Sequence, residues 1–129
     1  MSTTLLFILA NMAYNHFDIP IFQKTYDFYK LIHEYGGDIP KMERYTVWQK
    51  ITTVCIEMIK DLLTVNHLSG TEKLSLLNKI SVKVDLLRVF IRLAHETKAI
   101  NSKRYISLQE ILDEIGRMLG GWIKNVKGK

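Results

Sequence analysis

Residues 72–98, "EKLSLLNKISVKVDLLRVFIRLAHETK", contain no proline or glycine and repeat apolar side chains every three or four positions. Leu77, Ile80, Val84, Leu87, Ile91 and Ala94 fall on one stripe when the chain turns by roughly 100° per residue, the period of an α-helix. A strand would need a period of two, which this stretch does not keep. The segment therefore reads as one long helix. It carries a second stripe, Val82, Leu86, Val89, Phe90 and Leu93, on nearly the opposite side. Arg88 and Arg92 lie between the stripes, one turn apart.

Three further segments keep the helical period. The first starts near Asp18, a candidate cap, with Pro20 in the first turn where a missing N–H is harmless. Its inward positions are read as Ile19, Phe22, Tyr26, Tyr29 and Ile32, and Gly36, Gly37 and Pro40 stop it. The second runs from about Met42 to His67, with Trp48, Ile51, Val54, Cys55, Met58, Ile59, Leu62 and Val65 inward. "LSGT" ends it, and Thr71 is the expected cap of the long helix. "INS" ends that helix, with Ser102 as the expected cap of the last. The last runs from Lys103 to about Val126, with Leu108, Ile111, Leu112, Ile115, Leu119, Trp122 and Val126 inward. Four helices joined by short loops predict an all-α, antiparallel up-down four-helix bundle in one domain, residues 18–129.

In such a bundle every helix keeps an outer face, and a monomer needs only one apolar stripe per helix. The alternative is a third helix buried all round. If the second stripe is exposed it is a contact site. We expect self-association through Val82, Leu86, Val89, Phe90 and Leu93, a heterologous partner being the alternative. The last helix adds to this. Gly116, Gly120 and Gly121 sit among its apolar positions, and each interior glycine costs roughly 0.5–1 kcal/mol relative to alanine. Gly116 and Gly120, one turn apart, are expected to let another helix or a partner chain approach closely. Gly121 suits a bend. A frayed last turn is the other explanation, but Trp122 and Ile123 need burial beyond the glycines.

Residues 1–17, "MSTTLLFILANMAYNHF", contain no charged side chain. The apolar run from Leu5 to Tyr14 is too short to span a bilayer and lacks the basic start of a secretory signal. It reads as a docking or disordered extension, or as the product of a start codon placed upstream, with a signal peptide as the alternative; no membrane association is expected. Cys55 is the only cysteine, so a disulfide framework and a cysteine zinc site are excluded within one chain. A reducing cytosol is compatible with this.

Candidates for chemistry are few. His16, His33, His67 and His95 form neither Glu-x-x-His nor His-x-x-x-His, the spacings that place metal ligands on one helical face. No metal and no other cofactor is expected. Asp113 and Glu114 are adjacent and diverge. Cys55, on an apolar stripe, reads as a buried structural thiol. Arg88 and His95 enclose six residues, a spacing similar to the Arg–His motif of HEPN-type ribonucleases, in which imidazole transfers protons and guanidinium stabilises phosphate charge. A histidine resting beside Glu96 is the plainer reading.

The net charge of +5 is carried entirely by the second half. Residues 71–101 and 102–129 each hold six basic and three acidic side chains. Lys79 and Lys83 lie one turn apart, as do Arg88 and Arg92. Lys41, Arg44 and Lys50 mark the start of the second helix, while Lys103, Arg104, Arg117, Lys124, Lys127 and Lys129 belong to the last helix and its tail. This excess suits contact with a phosphate backbone and gives no basis for base readout. A structural helical adaptor with an incidental basic surface is the alternative.

"IPIFQKTYDFYK" (19–30), "IPKMERYTVWQKI" (39–51), "VDLLRVFIRLAHETKAINSKRY" (84–105) and "LDEIGRMLGGWIK" (112–124) resemble the accessory variability determinant of diversity-generating retroelements. The resemblance covers residues 19 to about 126, and "EIGRMLGGWI" is its most specific piece. These proteins belong with four-helix bundles that include ribosomal-RNA intervening-sequence proteins. The resemblance implies a basic, barrel-like homopentamer without catalytic activity, encoded by a bacterium or phage and acting in the cytoplasm. It implies binding to an error-prone reverse transcriptase and its template RNA, with cDNA or an RNA–DNA hybrid as related ligands. Together they would make adenine-mutagenised cDNA that is carried into a target gene. Arg88 and Arg92 match the family's basic pair, and Arg117 matches a further arginine. Arg44, Lys50, Lys79, Lys83 and Lys124 complete the expected binding set.

Overall fold

The computed structural model describes residues 18–128. The expectations for residues 1–17, and for the side chains of Asp18 and Ile19, lie outside the described residues. The elements are α1 (Asp18–Gly36), the single turn α2 (Lys41–Arg44), α3 (Val47–Val65), α4 (Gly70–Glu96) and α5 (Ser102–Lys127). The four long helices form a ring in which α1 and α4 each pack on both α3 and α5. Lys24 on α1 meets Glu114 on α5 at 2.8 Å, while Tyr35 near the end of α1 lies under Arg104 at the start of α5. Neighbouring helices thus run antiparallel, as the short loops require. Among the described residues there is no strand.

The core is one continuous apolar cluster. All six residues of the first α4 stripe are buried, as are Leu108, Leu112, Ile115, Leu119 and Trp122 on α5. The stripe of α1 differs from the expected one. Its buried residues are Ile21, Phe22, Thr25, Phe28 and Ile32, while Tyr26 and Tyr29 pack only at the edge. Thr25 enters the core because its hydroxyl donates to the Ile21 carbonyl at 2.9 Å, which satisfies a polar group that would otherwise be costly to bury.

The expected second helix is divided. Thr46, with φ −118° and ψ −98°, leaves helical geometry between α2 and α3. The α1–α3 connection is fixed from both sides. Arg44 donates to the carbonyls of Ile39 (3.1 Å) and Gly37 (3.4 Å), and the Trp48 indole Nε1 donates to the Ile32 carbonyl at 3.2 Å. A side chain at Gly36 would press on that indole, its Cβ lying 3.2 Å from Nε1.

Two caps also differ from expectation. Ser69, not Thr71, occupies the N-cap of α4, without a side-chain hydrogen bond, and Gly70 takes a left-handed φ of +59°. Asn101, not Ser102, caps α5, its side chain accepting from the Arg104 N–H at 2.9 Å. Asn is among the best N-cap residues because its short carbonyl reaches an orphan N–H of the first turn.

Candidate nucleic-acid and partner interface

The second stripe of α4 splits in two. Val82, Leu86, Val89 and Leu93 lie on its outer face, between 40% and 59% exposed. Phe90 instead turns toward α3, packs against the core and joins Leu93, Tyr45, Val47 and Lys50 in lining a groove. Helix α4 is therefore not buried all round. Met42 and Tyr45, around the break before α3, are also exposed. Their exposure had no signal in the sequence, because neither glycine nor proline marks that break.

The expected basic residues do not form one surface. Lys83 is spent between α4 and α3, its Nζ on Asp61 at 2.5 Å and 3.9 Å from Glu57. Arg44 is engaged with the two loop carbonyls described above. Lys79 lies at the α3–α4 edge beside Leu76 and Thr64, and Lys50 in the Phe90 groove. Lys124 is exposed near the end of α5. The structure does bring Arg88, Arg92 and Arg117 to one side, along the seam between α4 and α5.

Along that seam Arg88 and Arg92 differ. Arg88 Nη1 donates to Asp113 Oδ1, and Nη2 donates to the Leu112 carbonyl at 3.3 Å. Gln109 Nε2 closes the contact by donating to the Arg88 carbonyl at 3.2 Å. Gly116 faces this guanidinium: a Cβ there would lie 2.7 Å from Nη2. The glycine thus makes room for a side chain of its own chain. Gly120 is exposed and faces open space. Arg92 is 62% exposed, and its ion pair with Glu96 is 3.9 Å long.

The Arg88–His95 pair is not assembled as an acid–base site. The His95 ring stacks on Tyr105 with centroids 4.4 Å apart, and its Nε2 lies 3.1 Å from Ser102 Oγ. Among the described residues no group of three or more His, Cys, Asp or Glu could hold a metal ion. No described helix is long and apolar enough to cross a membrane.

Residues 20–126, nearly the whole bundle, match the family described as bAvd-like. The chain belongs to the accessory variability determinant family. Proteins of this family are non-catalytic accessory proteins of diversity-generating retroelements and partner with the element's reverse transcriptase. Membership therefore supplies an accessory role for this bundle and removes the ribonuclease reading of Arg88 and His95. No curated protein matches the chain.

Proposed function

We propose that this chain assembles into a homo-oligomer, a pentamer by its family resemblance, and binds the retroelement's reverse transcriptase and template RNA. In this role it supports mutagenic cDNA synthesis and retrohoming. The observation that carries the reading is the outer face of α4. Four apolar side chains stay partly exposed there, next to a seam that carries arginines. Fully burying one Val or Leu is worth about 1.5–3 kcal/mol. Covering four half-exposed ones at each of several symmetric contacts would favour association, while the α4/α5 seam stays at the surface.

Assembly would repeat the seam once per subunit. A weak local charge becomes an extended basic surface, to which a polyanion binds by releasing counterions. The test is capture of the reverse transcriptase and its template RNA by the immobilised chain across a salt series. The Arg88→Ala/Arg92→Ala double variant serves as comparison. Binding that weakens steeply with salt, and that is reduced in the double variant, is expected. Capture of both partners at wild-type level by a correctly assembled double variant would remove the seam from the function.

A further inference from the structure

The two neighbouring arginines of α4 do different work. We infer that Arg88 is a positioning residue that fixes α4 against α5, and that phosphate contact falls on Arg92 alone of this pair; the inference rests on the RNA-binding reading above. Both terminal nitrogens of Arg88 are already engaged, one by the Asp113 carboxylate and one by the Leu112 carbonyl. The space the guanidinium occupies exists because residue 116 has no side chain. To meet a phosphate, Arg88 would have to leave Asp113, and the carboxylate left behind would repel the incoming anion.

The surroundings point the same way. On one side of Arg88 the depression is lined by Ser81, Asp85, Asp113 and Arg117, two carboxylates facing two guanidinium groups. Its charge is balanced, so it offers a phosphate little net attraction. On the other side a shallow groove is lined by Val89, Arg92, Tyr105 and Gln109 with Arg88 itself, and no carboxylate lines it. Glu96 reaches Arg92 only at 3.9 Å from an exposed position, a pairing weak enough for a phosphate to displace. Arg92 can therefore change partners without disturbing the bundle, and Arg88 cannot.

The test uses the full chain and a labelled single-stranded RNA oligonucleotide, titrated at several salt concentrations, with thermal unfolding measured beside it. Arg92→Ala is expected to flatten the slope of log K against log salt by about 0.7, one phosphate contact on a single strand, with an unchanged Tm. Arg88→Ala and Asp113→Asn are each expected to lower Tm by a few degrees while keeping the wild-type slope. Arg88→Lys, which keeps the charge but loses the fork, should fall between wild type and Arg88→Ala in Tm. Tighter RNA binding with a steeper slope in Asp113→Asn would mean that Arg88 is a masked phosphate ligand, and would overturn the inference. So would a slope unchanged by Arg92→Ala, although the RNA-binding reading would then stand. Absence of salt-dependent binding by the wild-type chain would overturn both.

Discussion

Gly116 and Arg88 occupy one contact between α5 and α4: a methyl group on residue 116 would sit 2.7 Å from the Arg88 Nη2. Alanine in place of a helical glycine normally gains about 0.5–1 kcal/mol. Here that gain is set against displacing a guanidinium held by Asp113 and Leu112. Gly116→Ala is therefore expected to be close to neutral in the wild-type chain and stabilising by the full propensity term in an Arg88→Ala background. A double-mutant cycle by thermal unfolding checks it, with a coupling of about 1 kcal/mol expected. Additive effects would mean that glycine is not there for the arginine.

Lys98 sets the end of α4. Its φ is +65°, the left-handed conformation usual for glycine after a helix. The reversal is held by the Ala99 N–H on the Ala94 carbonyl at 2.8 Å and the Lys98 N–H on the His95 carbonyl at 3.0 Å. It turns Ala99 and Ile100 into the core. Lys98→Gly removes the steric conflict of Cβ in that conformation and is expected to stabilise the fold by about 1 kcal/mol, read as a higher Tm. Lys98→Val should lower it.

Cys55 is fully buried on α3, and burial pushes its thiol from 9.0 up to about 12. In the unfolded chain it ionises near its ordinary value. Below that value both states hold the proton and no stability is lost. Above it the unfolded state releases the proton first, so stability falls as pH rises from about 9 toward 12, by up to about 1.4 kcal/mol per unit. Denaturant unfolding of the wild type and Cys55→Ala across this range should show the extra slope only in the wild type. Equal slopes would contradict a protonated, sequestered thiol. Native Cys55 should also resist alkylation until the chain unfolds.

The α4 core stripe could be read from the sequence because an unbroken 3.6-residue period leaves one arrangement that buries all six residues. The α3 stripe was legible too, except that Ile59 packs only partly buried at the edge of the core. On α1 the tyrosines obscured the period. Tyr26 and Tyr29 look apolar in a pattern, but their hydroxyls keep them at the edge, and Thr25 takes the interior through a backbone hydrogen bond. The break at Thr46 and the left-handed Lys98 lack the glycine or proline that usually marks such points. At the candidate site, the exposure of Val82, Leu86, Val89 and Leu93 was foreseeable from a helix with two stripes. The tie from Arg88 to Asp113 was not. It joins residues on different helices, and no local spacing specifies which carboxylate a given arginine meets.

If copies of this chain meet on the outer face of α4, as proposed, the basic seam is repeated around an assembly. Light scattering on the wild-type chain, Val89→Glu and Leu93→Glu tests it most directly. Both positions are partly exposed, so glutamate can be accommodated in the folded subunit while being costly to bury in an interface. A wild-type mass several times the 15.0 kDa of one chain is expected, with monomers of unchanged helix content for both variants. A monomeric wild type, or variants that keep the wild-type mass, would contradict it.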